Sequence, residues 1–350
     1  MWKSHEKDRK ERTLTIFDRF PTPKWKVITI VASILLASVL VAHLVNHFFF
    51  PGKNGEKVHV VIEKGEGLGA VAEKLREEGI IRSSLLLRLY AMVRRGDTLV
   101  LPGHYLFERG MRYGEVLDLL AQGPNYQVRV TVPEGLTLHQ TAEIYSSVLG
   151  FTVEDFLAEC NSRLHPTPFI GDRDVTLEGF LFPKTYDLPP DATPGTVVET
   201  MLRQFEKEAA ELDWGKAEKR GLTPYEVVIV ASMIEKEAML DDERPLVAAV
   251  IYNRLRLGMP LQIDATVQYA LPRWKPRLSY QDLQVDSPYN TYRHKGLPPG
   301  PICSPGRSSL EAALDPASVD YLYYVATGDG GHFFTSDYGE FLEAKKRYQP

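Results

Sequence analysis

The sequence predicts an α+β protein in three parts: a single N-terminal transmembrane helix, a small α+β module and a larger α+β domain. Three observations predict this. An uncharged apolar run of 24 residues follows a basic tail. From residue 57 onward, short runs of strand period are interspersed with runs of helical period. The order strand, glycine turn, helix, turn, helix occurs twice, offset by 70 residues.

The apolar run comes first. Residues 1–26 hold eight Lys/Arg against four acids, while the whole chain has a net charge of −5. The tail is therefore +4 and the remainder −9. Val27 to Phe50 follows without a formal charge. As a helix it extends roughly 36 Å, enough to cross a hydrocarbon core of about 30 Å with some tilt. Trp25 and Phe48–Phe50 stand where interfacial aromatics belong. A cleaved signal peptide has a shorter apolar run ending in a small-x-small site, and this run has neither feature. A buried core helix would show a polar face. The run is read as a retained anchor in the lipid bilayer. The basic tail assigns the N-terminus to the cytoplasm, which puts residues 51–350 outside the cell (inner) membrane, in the periplasm where there is one.

Composition removes several classes. With 44% hydrophobic and 25% charged residues, the chain is globular rather than collagenous, coiled-coil or disordered. Its negative charge gives no ground for a nucleic-acid partner. Two cysteines, Cys160 and Cys303, exclude a disulfide-dense scaffold and a cysteine-rich metal site; one disulfide between them stays open, and two free thiols are the expectation.

Residues 51–55, Pro-Gly-Lys-Asn-Gly, read as a linker. Lys57–Glu63 alternates as a strand, Gly65-Glu66-Gly67 turns it, and Leu68, Val71, Ala72 and Leu75 recur at helical spacing. Ser83 to Val93 is a second helical run. Gly65, Leu68, Ala72, Glu73 and Leu86 align with Gly135, Leu138, Ala142, Glu143 and Phe156 of the second copy. The stretch between, Leu101–Gln122, holds a Pro-Gly turn, a short strand and a helix at Tyr113–Ala121. Such a unit is either generic α+β packing or a LysM-like carbohydrate-binding module. The expected division is 56–130 for this module and 131–350 for the larger domain. Near the end, Tyr321–Thr327 and His332–Thr335 flank a glycine-rich turn and predict a hairpin.

The most informative stretch is Thr223 to Gly258. Thr223, Pro224 and Glu226 form an N-cap, a proline at the first helical position and a capping box. Val227 to Ile234 contains one polar side chain and no charge, so this helix should be buried. Glu235 is the first charge after it. A carboxyl among apolar groups keeps its proton more readily and can hand it to a leaving oxygen near neutral pH. The alternative is a solvated charge where the helix surfaces. Glu237, two positions on, points to the other side. Other chemistries lack their motifs: there is no G-x-S-x-G, no phosphate-binding loop and no H-E-x-x-H.

The string Ala231-Ser232-Met233-Ile234-Glu235-Lys236-Glu237, followed by Glu243-Arg244-Pro245-Leu246-Val247-Ala248, resembles the endolytic murein transglycosylases of the YceG-like family. Tyr252-Asn253-Arg254-Leu255, Gly258-Met259, Leu261-Gln262, Asp264 and Thr266-Val267 extend the resemblance. Ser287 to Tyr292, Gly296-Leu297-Pro298-Pro299, Gly330-Gly331-His332 with Phe334, and upstream Leu177-Glu178-Gly179 with Leu181-Phe182-Pro183 also match. Departures fall at Ala238, where the family often has Thr, at Ala265, usually Pro, at Ser304, often Asn, and at Lys184, often acidic. None touches Glu235, which matches the family's catalytic glutamate.

The resemblance implies a peptidoglycan glycan strand as substrate, a LysM-like membrane-proximal region and a YceG-like catalytic domain. Glu235 would protonate the glycosidic oxygen between N-acetylmuramic acid and N-acetylglucosamine. It would then take the proton of the muramyl C6 hydroxyl as that oxygen attacks C1. One carboxyl suffices because the nucleophile is intramolecular, so no metal or cofactor is expected. Gln262, Asp264 and Thr266 are expected near the acid, with Tyr289, Asn290 and Thr291 as sugar contacts and His332 lining the cleft. Peptidoglycan synthases are candidate partners. Two alternatives stay open: a water-using muramidase with Asp264 as second carboxylate, and a non-catalytic wall-binding scaffold.

Overall fold

Helix α1, Lys24–Phe49, is exposed along its length from residue 25 to 46. Its Trp25–Asn46 stretch is long and apolar enough to cross a membrane. An apolar helix with no protein core to cover it is compatible with a single-pass anchor. The structure is a computed structural model and describes residues 24–49, 55–94 and 100–348. The basic tail before Lys24, Phe50 and most of the linker lie outside the described residues.

Two compact units make up the chain, Met1–Asn125 and Tyr126–Pro350. The first continues with β1 (Lys57–Ile62), α2 (Leu68–Glu77), α3 (Ser84–Val93), β2 (Gly103–Glu108) and α4 (Tyr113–Gln122). Strands β1 and β2 pair antiparallel, Val60 opposite Tyr105. Val60 and Ile62 alternate inward, as the strand period requires, and meet Val71, Ala72 and Leu75 of α2 in a core closed by Leu87, Phe107 and Leu120.

The second unit opens with the same order. It runs β3 (Val128–Thr131), α5 (Leu138–Leu149), α6 (Val153–Glu159) and β4 (Thr185–Leu188), with β3 and β4 antiparallel. The weak repeat is therefore a repeated strand–helix–helix–strand. Strand β3 pairs with β4 and belongs to the second unit, Tyr126–Pro350. Next come α7 (Pro194–Ala209), α8 (Gly215–Glu218), α9 (Pro224–Glu237), α10 (Arg244–Arg256) and α11 (Asp264–Ala270). The unit ends with α12 (Arg307–Leu314), the hairpin β5 (Tyr323–Ala326) and β6 (His332–Thr335), and α13 (Tyr338–Tyr348). Cys160 and Cys303 are both free and buried.

α9 sits in the middle of this core. Every residue from Val227 to Ile234 is buried, and α10, α11 and α12 pack around the helix. The Thr223 hydroxyl accepts from the Glu226 amide at 3.3 Å, and Glu226 Oε2 accepts from the Thr223 amide at 2.8 Å, so the capping box forms as expected.

Candidate active site

The lone polar residue inside α9 docks the loop that builds the site. Ser232 Oγ accepts from the Ile302 amide at 3.1 Å, and the Ser232 carbonyl accepts from the Cys303 thiol at 3.3 Å. That fixes the segment leading to Gly306 and the start of α12 beside the C-terminal turn of α9. One further turn along α9, Glu235 Oε2 receives three donors: Ser309 Oγ at 2.8 Å, the Gly306 amide at 3.0 Å and Arg244 Nη1 at 3.2 Å. Arg244 also donates to Ser309 Oγ at 2.5 Å, which leaves the serine proton for Glu235. The Glu235 side chain is only 7% exposed and that of Arg244 9%. The expected apolar surroundings are thus corrected. The helix flank is apolar, but the carboxyl itself meets a guanidinium, a hydroxyl and a backbone N–H.

A second carboxyl reaches the same spot. Glu134, in the turn after β3, lies so close over Gly306 that a Cβ there would collide with its carboxyl group. The Gly135 amide donates to the Ser304 carbonyl at 2.9 Å, and the Ser304 amide donates to the Leu136 carbonyl at 2.8 Å. Lys236 Nζ donates to the Gly135 carbonyl at 3.1 Å. Burial pushes the Glu134 pKa upward, as do the negative charges of Glu235 and Asp241, while Arg244 opposes them.

Glu237 leaves α9 on the other side, as its spacing predicts. It accepts from Tyr324 Oη at 2.9 Å. Burial raises its pKa above the usual carboxylate range, Tyr324 offsets part of this, and nearby Asp264 adds to it. Asp264 is exposed, begins α11 and accepts from Tyr292 Oη at 2.5 Å. Its carboxylate neighbour is therefore Glu237, and the carboxyl beside Glu235 is Glu134. His332 stands in the same outer network. Its Nδ1 lies 2.7 Å from Glu243 Oε2, its amide donates to Glu243 Oε1 at 2.8 Å, and its ring meets Tyr324 edge-on.

Thr266, expected near the acid, and Thr291 and Asn290, expected as sugar contacts, brace the chain from within. Thr266 and Thr291 are buried with their hydroxyls 2.9 Å apart, and Thr291 Oγ1 also accepts from the Ile263 amide. Asn290 is fully buried. Its Nδ2 donates to the carbonyls of Leu283 and Val285, and its Oδ1 accepts from the Tyr292 amide. Groups with all their hydrogen bonds made inside the chain have none to offer a sugar. Gln262 is exposed, and its φ of 54° makes it the one non-glycine residue with positive φ among the described residues. Its amide donates to the Thr291 carbonyl, so the braces hold this costly conformation. Tyr289 is half-buried, its ring 4.8 Å from that of Tyr269.

A cavity of about 1110 Å³ opens beside the site. Thr137–Gln140 of the α5 start, Lys236, Glu237, Asp264, Tyr269 and the 271–278 loop line it. Trp274 on that loop is 72% exposed. On the cavity floor, Glu178 accepts from Tyr269 Oη at 3.2 Å and from the Leu138 amide at 3.1 Å. Burial pushes its pKa up to about 7. Glu235 does not line the cavity. Lys236, the next residue, does.

The sequence reading missed Glu134, Gly306 and Ser309 and gave Arg244 no role. Arg244 stands in a quoted motif nine residues from Glu235. Gly306 and Ser309 lie 71 and 74 residues away, beyond the reach of any local period. The signal that could have found Glu134 was its place just before Gly135, the glycine of the repeat.

The profile of the YceG-like family matches residues 60–347. The chain belongs to the YceG-like family. Among curated relatives of this YceG-like chain, one from Bacillus subtilis (strain 168), named endolytic murein transglycosylase, is 34% identical over 306 residues, 83% of this chain and 84% of the relative. A relative of the same name from Streptococcus pneumoniae (strain R6) is 30% identical over 300 residues, and the match spans 54% of its length. The crystal structure of a YceG-like protein from Listeria monocytogenes aligns with a TM-score of 0.57 at 30% identity, covering 83% of this chain and 99% of that one.

Proposed function

We propose that this protein is a membrane-anchored lytic transglycosylase. It cleaves MurNAc-β-1,4-GlcNAc bonds within peptidoglycan strands and leaves 1,6-anhydroMurNAc ends, terminating strand elongation. The observation that carries the reading is Glu235: a largely buried carboxyl held by Arg244, Ser309 and the Gly306 amide, next to an open cavity, in a chain of this family. The net reaction moves one proton from the muramyl C6 hydroxyl to the departing oxygen, and Glu235 takes part in that transfer. The C6 oxygen closes on C1 of its own sugar, so the nucleophile is already placed and water is not consumed. Trp274 and the cavity behind it fit a stretch of glycan, the indole face against a pyranose ring. The strand–helix–helix–strand order of residues 57–108 supports a LysM-like wall-binding role for the first unit. With α1 in the cell (inner) membrane and the N-terminus cytoplasmic, both units work outside the cytoplasm. There they are placed to meet peptidoglycan synthases.

Mass analysis of digested glycan strands tests this. Wild type should release products one water lighter than those of a hydrolase. Glu235→Gln should lower their release by about 10²–10⁴. Products carrying the added water would instead make the protein a muramidase, and full activity in the Gln variant would remove Glu235 from the chemistry.

A further inference from the structure

Glu134 and Glu235 approach the same residue, one over the Gly306 α-carbon and the other at its amide. Their surroundings differ. Glu235 Oε2 accepts three hydrogen bonds, whereas among the described residues the Glu134 carboxyl accepts none. Glu134 is exposed as a residue, so a bound strand can reach it. Its backbone is held by the Gly135–Ser304 and Ser304–Leu136 hydrogen bonds and by Lys236 on the Gly135 carbonyl. Two neighbouring carboxyls do not both ionise cheaply, and the nearby Glu235 charge adds to burial in raising the Glu134 pKa.

We propose that Glu134 is a second catalytic carboxyl, which protonates the departing glycosidic oxygen while Glu235 receives the proton of the attacking C6 hydroxyl. This deepens the transglycosylase reading and rests on it. A single carboxyl can do both transfers in turn, and the pair divides them. The bond from C1 to the glycosidic oxygen breaks, and that oxygen takes the Glu134 proton. The bond from C1 to O6 forms, and the O6 proton passes to Glu235. Glu134 ends ionised and Glu235 protonated, and one proton returned through solvent resets the pair. The charges around Glu134 are Glu235 on α9, Arg244 on α10 and Asp241 just before it, with Lys236 bound to the adjacent carbonyl. The upward shift of the Glu134 pKa agrees with a group that carries its proton into the reaction.

The test uses the full chain in detergent and two substrates, glycan strands and a MurNAc-terminated oligosaccharide with a nitrophenyl leaving group that departs without protonation. Glu134→Gln should slow anhydromuramyl release from strands by about 10²–10⁴ and slow the nitrophenyl substrate by less than about tenfold. The fall of wild-type rate at alkaline pH, where the acid loses its proton, should vanish in the variant. Gly306→Ala, which displaces the Glu134 carboxyl without removing it, should show the same split between substrates, more weakly. Equal slowing of both substrates would make Glu134 structural and overturn the proposal. So would a Glu134→Gln rate near wild type on strands, provided wild type forms anhydro ends. Should wild type form none, the transglycosylase reading falls, and the proposal with it.

Discussion

Two buried carboxyls in the second unit have different partners. Glu235 sits against a guanidinium, whereas Glu178 has no cation beside it among the described residues: burial raises its pKa to about 7, against the pull of the Leu138 and Gly179 amides and the Tyr269 hydroxyl. In the unfolded chain the same carboxyl titrates near 4.5. Between those values the folded protein holds a proton that the unfolded chain has lost, so stability falls as pH rises through that window and levels off above it. The loss across the window is roughly 3 kcal/mol. Glu178→Gln cannot titrate, so its denaturant midpoint should fall less than that of wild type between pH 4.5 and 7. Parallel curves for the two proteins would show that Glu178 does not hold its proton. Asn290 offers a second check at this scale. If it braces the loop and does not touch sugar, Asn290→Ala should cost roughly 2–3 kcal/mol by leaving buried carbonyls and an amide unpaired. The KM of the folded protein should stay unchanged, and a raised KM at unchanged stability would restore Asn290 as a sugar contact.

At the scale of the element, α9 is the part that positions the chemistry. Its apolar surface locks it among α10, α11 and α12, and Ser232 then docks the loop that carries Gly306. A helix buried on all sides does not depend on its cap to form, but the cap still satisfies end amides. Thr223→Ala should therefore cost about 1 kcal/mol, read as a melting shift of about 2–4 °C, with kcat unchanged. A matching loss of kcat would mean that the cap also sets the register of Glu235.

For the whole molecule, the described structure has an apolar helix and two compact units, each opening with strand, helix, helix, strand. Each unit has its own buried core, so neither needs α1 to fold. A protein starting at residue 55 should stay soluble without detergent and sediment with insoluble peptidoglycan. A reporter active only outside the cytoplasm, fused after Pro350, should be active on the full chain. If only a cytoplasmic reporter works there, the assigned orientation is reversed.

The sequence by itself determined the elements. Hydrophobic period, glycine turns and capping residues are local signals, and they placed the N-terminal apolar helix, both copies of the repeat, the C-terminal hairpin and the capped, buried α9. Glu235 was legible because a charge that ends an all-apolar helix has to be dealt with by something. What dealt with it was decided by tertiary structure alone. Ser309 and Gly306 come from more than 70 residues away, and Glu134 comes from the turn after β3. Burial separated the polar residues that looked alike in the string. Thr266, Asn290 and Thr291 carry the same groups that bind sugars elsewhere, yet their hydrogen bonds close within the chain. Sequence order records which groups are available. Which of them face outward depends on how the folded chain satisfies its buried polar atoms, and those partners lie far apart along the chain.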